Sequence, residues 1–436
     1  MRRDLSPGQC ASTKPSTLVA ESAELQVPPL ARSWSCEVLR GGVELIEQLA
    51  LEWRRLCQDG SYSKPFFRPE WFRAYVRAFA PDKQIWLVTL RDRGRLSAVL
   101  PLAYEQVAIF GLPVARLCGL ANDHSPRFDL ILGAGVSAEE AAAEIWKALR
   151  NFSGWDFLKA PNVPAGGAFE EILHAAEQEG YPTGRWESFC TPSIALPEGG
   201  NPETAQLGGT DSKFRANLRR RKRKLTAQGN VLLRRVEKAD PAELESFYRL
   251  EQAGWKGRQG SAIACKPSTR QFYDEVAREA GRFGYLSLYF LELDGRAVAG
   301  HFGLAHEGIY YCPKVGYDEQ WHAYSPGHLL VEAILRDCTA RGLREFDFVG
   351  PKMEWKSDWT SQVRHYSWCF VFSRSWKARM LHAAKFRIVP IVKEKLSRRR
   401  PAVDRVVRTR LRNWDWLTRP FAALWLALNS SGVWSK

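Results

Sequence analysis

Apolar residues recur along this chain in helical and in strand rhythm, and the same succession of rhythms occurs twice. Residues 85–105 read IWLVTLRDRGRLSAVLPLAYE, and residues 288–307 read LYFLELDGRAVAGHFGLAHE. Each is an apolar, β-rich run, a Gly-containing turn and a second apolar run. That is a hairpin pattern, and Asp294-Gly295 is among its stronger turn forms. Two helical patterns precede each hairpin, at 43–57 and 69–79 and again at 241–255 and 268–280. A further helical pattern follows each (137–150; 325–341), then a short strand (155–158; 346–349). Five elements repeated in one order predict an internal duplication.

The second copy is the better marked. Asp240, Pro241 and Glu243 stand at the N-cap, N1 and N3 of a predicted helix. Leu244, Phe247, Tyr248 and Trp255 fall on one face of it. Leu329, Leu330, Ala333, Ile334 and Cys338 share a face of the helix over 325–341, and Gly342 stands at its C′ position. With β patterns over 84–118 and 285–316, the chain reads as α+β. Each half is a mixed, mainly antiparallel sheet flanked by helices.

Length agrees with this division. The 436 residues exceed what one core usually organises, and 45% apolar residues leave material for two. The boundaries expected are a Ser-, Pro-, Ala- and Thr-rich disordered segment (1–35), a first module (36–200), a second module (201–375) and a basic, Trp-rich helical tail (376–436). The net charge of +15 is clustered at 213–224 and 374–412. Such clusters suit a polyanion, whether nucleotide phosphates, RNA or an anionic membrane surface, or they are solvated faces. Nine cysteines, odd in number and without a CxxC pair, exclude a disulfide framework and a structural zinc site. The eight histidines show no metal-ligand spacing, so no metal is expected. No apolar run has signal-peptide or membrane-spanning length, and a cytoplasmic protein is expected, peripheral to the inner membrane at most through its tail.

Several short motifs stand at these positions: Pro65-Phe66 with Pro69-Glu70-Trp71; the run from Lys213 to Arg220; Gly254-Trp255-Lys256-Gly257 with Gly260-Ser261; Ser325-Pro326-Gly327; and the run from Phe346 to Gly350 with Trp355-Lys356. In order and spacing they resemble the CelD-type acetyltransferases of cellulose and exopolysaccharide biosynthesis, within the GNAT superfamily. The tandem build is also similar to the FemAB-type peptidoglycan bridge enzymes. The likeness covers about residues 36–375; Trp355-Lys356 departs from the more usual Tyr-Lys. It implies two GNAT-like modules and acyl transfer from acyl-CoA, a co-substrate rather than a tightly bound cofactor. The acceptor it implies is a small-molecule or lipid-linked sugar made for the envelope or an exopolysaccharide. The first module, with no counterpart of Ser325-Pro326-Gly327, is expected to be degenerate.

Each candidate residue has a plain reading beside its functional one. Ser325, Gly327 and His328 open a helix whose free N–H groups suit a phosphate, and the resemblance places the CoA pyrophosphate there; Ser325 and Pro326 are equally an ordinary N-cap and N1. Phe214, Leu218 and Leu225 form an apolar stripe, and Lys213, Arg215, Arg219 and Arg220 stand off it as a phosphate clamp or a solvated face. Trp255 and Lys256 are a groove wall and an anion contact, or a helix end with a basic last turn. Asp347 points away from Phe346 and Phe348, to solvent or to a groove. Lys356 meets a phosphate or a developing oxyanion, or is a surface lysine. His301 is a general base or a structural strand histidine, with Tyr317 and Asp318 as alternative proton carriers.

The reading that joins most of these residues is acyl transfer in the second module, with Asp347, Lys356 and His301 nearest the reacting centre. Two rivals remain: a FemAB-like ligase drawing an aminoacyl group from tRNA, the one role in which nucleic acid is expected, and a non-catalytic RNA- or membrane-binding protein.

Overall fold

The computed structural model describes residues 32–58, 62–109, 111–197, 199 and 211–391. Most of the N-terminal segment and the tail beyond residue 391 therefore lie outside the described residues. The first half comprises β1 (Trp34–Gly41), α1 (Glu44–Leu56), α2 (Pro69–Phe79), β2 (Gln84–Asp92), β3 (Arg95–Ile109), β4 (Leu112–Gly119), a two-residue β5 (Ile131–Leu132), α3 (Ala138–Asn151), β6 (Phe157–Pro164), α4 (Phe169–Gln178) and β7 (Thr183–Ala195). The second comprises α5 (Ser212–Thr226), β8 (Val231–Val236), α6 (Pro241–Gln252), α7 (Trp255–Arg258), α8 (Pro267–Arg282), β9 (Leu288–Leu293), β10 (Arg296–His306), β11 (Ile309–Tyr317), α9 (Pro326–Ala340), β12 (Glu345–Asp347), α10 (Glu354–Ser357), β13 (Val363–Phe372) and α11 (Trp376–Ala383), which runs into a π-helical turn at Ala384–Ile388.

The repeated succession of elements is present, and both hairpins form. Arg93-Gly94 and Asp294-Gly295 take positive φ at both central turn positions, the geometry that matches the twist of the flanking strands. α6 opens on a reciprocal capping box between Asp240 and Glu243. Two boundaries differ from expectation. β1 starts at Trp34, and the helix at 241–255 stops at Gln252, because Gly254 breaks it and Trp255 begins the separate turn α7.

All thirteen strands join one sheet in the order β1-β2-β3-β4-β6-β13-β7-β12-β11-β10-β9-β8, with β5 added on β3. The two halves are interleaved rather than side by side. β13, the last strand, lies between β6 and β7 of the first half. β7 in turn pairs with β13 through Pro192 and with β12 from Ser193 onward. On one face, α1, α2, α6 and α8 share a single apolar core. There Trp71 meets Phe272 edge-on at 5.2 Å, and Arg73 bridges to Glu275 (2.9 Å) and Glu279 (3.1 Å). On the other face, α3 and α4 cover the first half, and α5 and α9 cover the second.

Candidate functional site

The sheet is not closed in the second half. β11 and β12 pair in parallel from Ile309 with Glu345 to Tyr311 with Asp347, and the pairing stops there. β11 continues to Tyr317 without a β12 partner, so a wedge opens between the two strands. Both strands contribute to it. Pro313 has no N–H to give a ladder, and β11 bulges where Phe302 pairs with Lys314 and Leu304 pairs with Tyr311. Beyond Asp347, Val349 (φ 46°) and Gly350 (φ 69°) turn the chain away.

Lys356 holds that turn. Its Nζ donates to the carbonyls of Val349 (2.8 Å), Pro351 (3.0 Å) and Phe348 (3.4 Å). Burial lowers its pKa to about 8, against smaller upward pulls from Cys312 and Asp347. All three donors of the ammonium are occupied, so Lys356 acts as a latch that keeps β12 splayed. It is neither the surface lysine nor the phosphate or oxyanion contact that the sequence suggests. At the other lip, Lys256 Nζ takes the Val315 carbonyl (2.8 Å) and pairs with the buried Glu251 (3.1 Å). α6 approaches so closely that a Cβ on Gly316 would fall 2.5 Å from the Glu251 backbone.

Two of the expected catalytic groups are engaged elsewhere. Asp347 does point away from Phe346 and Phe348, but it faces neither solvent nor a groove. Its Oδ2 binds Arg127 of the first half (2.6 Å) and Arg364 of β13 (3.2 Å), and its Oδ1 accepts from Val349 N (2.9 Å). Arg127 is itself buried, 4.9 Å from the Phe66 ring centroid. Asp347 is thus a structural junction, since alternation fixes which face a strand residue takes but not what lies across from it. His301 is buried against Cys312, with Nδ1 3.2 Å from Sγ, on the α9 face of the sheet. Burial, helped by Lys256, lowers its pKa to about 3, and burial pushes the Cys312 thiol up to about 12. A base that weak is poorly matched to proton abstraction near neutrality. Asp318 is spent on Gln320 N and Arg296, and Tyr317 stands partly exposed beside Gly327.

The α9 face gathers the cationic features. Ser325 takes the left-handed conformation (φ 51°) at the N-cap, and its side chain caps nothing. The first turn of α9 carries no acidic residue, so the positive end of the helix is not countered. α5 packs along α9 through Phe214, whose ring lies 5.4 Å from His328 and 5.1 Å from Trp359. His328 stacks on Trp359 at 5.9 Å and sits 3.9 Å from Asp358; burial lowers its pKa. Leu218 and Leu225 anchor α5, and Lys213, Arg219 and Arg220 point outward. Among the described residues none of these three makes an ion pair. Arg215 is partly buried on the same helix. Trp255, 47% exposed, flanks the opposite lip at the start of α7.

On the other face of the sheet the wedge meets residues that the sequence did not single out. The bulge turns Lys314 toward α8, with Nζ 5.7 Å from the Tyr273 ring centroid. Among the described residues its Nζ makes no hydrogen bond or ion pair. Burial, with Lys256 adding to it, brings its pKa down to about 8. His124, from the first half, stands edge-on to Tyr273 at 5.9 Å and stacks on Phe79 at 5.5 Å. Its Nδ1 and the Tyr273 hydroxyl are buried without partners among the described residues. Burial and then Lys314 depress the His124 pKa to about 3. The available signal was a lysine directly after a proline in an otherwise apolar strand.

The equivalent place in the first half is shut. β4 pairs with β6 through Cys118 and ends at Gly119, where an added Cβ would fall 2.7 Å from the Phe128 ring. The start of α3 is capped by Ser137, whose Oγ accepts from Glu140 N (3.3 Å), and carries Glu139 and Glu140 in its first turn. That is an anion-repelling start, opposite in character to α9.

Residues 212–357 match the family described as "Acetyltransferase (GNAT) domain". No curated protein sequence matches the chain. Among solved structures the chain is similar to FemX (10% identity, covering 76% of this chain and 96% of that one, TM-score 0.48). It is also similar to L-PGS from Bacillus licheniformis (13%, 73% and 96%, 0.44) and to a tandem GNAT protein from the clavulanic acid biosynthesis pathway (14%, 78% and 100%, 0.42). The match falls within the second half, and acyl transfer is the activity that a GNAT acetyltransferase domain carries.

Proposed function

We propose that the chain moves an acyl group from acyl-CoA to an amine or hydroxyl of an envelope or exopolysaccharide precursor, in the wedge between β11 and β12. The observation that carries this reading is the wedge itself. It is a sheet edge with free backbone groups, open toward a cationic helix start on one face and toward a buried polar cluster on the other. In this reading the donor's phosphates lie at Ser325 and Gly327, with Lys213, Arg219 and Arg220 nearby. The thioester enters the wedge, where those N–H groups of β11 beyond Pro313 that point away from β10 meet the oxyanion. The acceptor arrives from the α8 face. Lys314, as the neutral amine, takes the proton of the attacking nitrogen or oxygen as the new bond to the acyl carbon forms. The C–S bond then breaks, the CoA thiolate takes a proton from solvent, and Lys314 returns its proton to solvent. Positioning both reactants suffices, so no covalent enzyme intermediate is needed. The closed first half serves as a brace, a degenerate module that contributes His124 and Arg127. The acceptor class rests on the CelD-type motifs alone.

Thermal-shift titration with acetyl-CoA, longer acyl-CoAs, free CoA and an aminoacyl-tRNA tests the donor. A ligand that binds only the folded chain raises its Tm. Stabilisation by CoA and its thioesters is expected. Stabilisation by aminoacyl-tRNA alone would replace this reading with the ligase, and stabilisation by neither would remove the enzymatic reading.

A further inference from the structure

We propose that the surface of α11 and its continuation to Ile391 is a docking face for an anionic lipid surface. The helix packs by Ala378, Leu381 and Phe386 on the sheet around Phe370 and Phe372. Its other side carries Trp376 (68% exposed), Met380 (39%), Ile388 (56%) and Ile391 (53%). In an unbroken α-helix Ile388 would stand about 120° around the axis from Trp376. The π-helical turn at Ala384–Ile388 rotates less per residue and brings Ile388 and Ile391 back into line with Trp376 and Met380. A continuous apolar row thus faces away from the protein, where a monomer in water gains nothing from it.

The charge around that row selects the occupant. From Ser373 to Lys393 the sequence contains no acidic residue, while Arg374, Arg379 and Arg387 are exposed beside the apolar row. The chain then continues, from 392 to 412, with nine basic and two acidic residues, followed by Trp414 and Trp416. An apolar stripe on a segment whose own charges are all cationic matches the boundary between anionic headgroups and acyl chains. Among the described residues no helix is long and apolar enough to cross a membrane, and the contact proposed is an interfacial one.

Flotation of the full chain with vesicles tests this. Vesicles of phosphatidylcholine mixed with phosphatidylglycerol should carry the protein upward at low salt. Phosphatidylcholine alone should not, and raised salt should weaken the binding. Arg379→Gln with Arg387→Gln should lower the partition coefficient about 25-fold, about fivefold for each charge. Trp376→Ser with Ile388→Ser should abolish flotation. Because these side chains are exposed, both variants should keep the wild-type Tm. No binding to the anionic vesicles, or undiminished binding by both double variants, would overturn the proposal. So would a concentration-dependent dimer that Trp376→Ser with Ile388→Ser dissolves, which would assign the face to a second copy.

Discussion

Arg127 Nη2 lies 2.6 Å from Asp347 Oδ2, and this one ion pair ties a loop of the first half to the strand that forms one lip of the wedge. Both side chains are buried, so removing the carboxylate leaves Arg127 in an apolar surround with only aromatic rings beside it. Asp347→Ala is expected to destabilise the fold by about 3–5 kcal/mol, read by urea unfolding. Arg127→Met should restore part of that loss in the double variant, because it removes the stranded charge. An Asp347→Ala protein with wild-type stability and no turnover would instead return Asp347 to the chemistry.

Lys314 as general base makes a kinetic prediction. Lys314→Met should lower kcat by about 10²–10⁴-fold while KM changes little. In the wild type the rate should rise with pH and level off above about 8, as the amine loses its proton. A variant that keeps both the rate and that ascending limb would exclude Lys314 from proton transfer.

The latch lysine should show itself in stability rather than rate. The Lys356 pKa is near 8 in the fold and near its ordinary 10.5 in the unfolded chain. Between those values the unfolded chain holds a proton that the folded chain has released. Stability from this group therefore rises as pH climbs through the window, and it is lowest below pH 8. Denaturation of wild type and Lys356→Met across pH 7–11 should show the shallower slope in the variant. Equal slopes would mean that the amine is not buried in the fold.

The outward charges of α5 should act on the donor alone. Arg219→Ala and Arg220→Ala are each expected to raise the KM for acyl-CoA several-fold at low ionic strength, with kcat unchanged and the difference erased by salt. An equal effect on a donor fragment lacking its phosphates would show that the contact is not electrostatic.

His301 and Cys312 offer a negative test. Cys312 should resist alkylation until the chain unfolds, since burial keeps it a thiol up to about pH 12. His301→Asn should leave the shape of the pH–rate profile unaltered. A lost limb in that profile would restore His301 as the base.

Local chemistry was readable from residues, and long-range pairing was not. The Asp240–Glu243 capping box, the Asp294-Gly295 turn and the apolar stripe of α5 depend on neighbours a few positions away, and each forms where periodicity put it. The role of Asp347 depends on Arg127, which is 220 residues distant, so no window of sequence contains it. Lys314 was hidden for a different reason. Strict alternation misplaces every residue beyond a bulge, and the bulge beside Pro313 is what turns this lysine toward Tyr273. The helical rhythm runs through Trp255 and places it on one face with Leu244, Phe247 and Tyr248, but Gly254 ends the helix first.

The placement of β13 between β6 and β7 bears on how the chain matures. During synthesis the N-terminal sheet is left with a vacant slot, two unsatisfied edges facing each other, until residue 372 has cleared the ribosome. The second half therefore supplies the last stave of the half that emerged before it. A nascent chain halted short of that strand would expose sticky edges to its neighbours, which makes β13 a guard against aggregation.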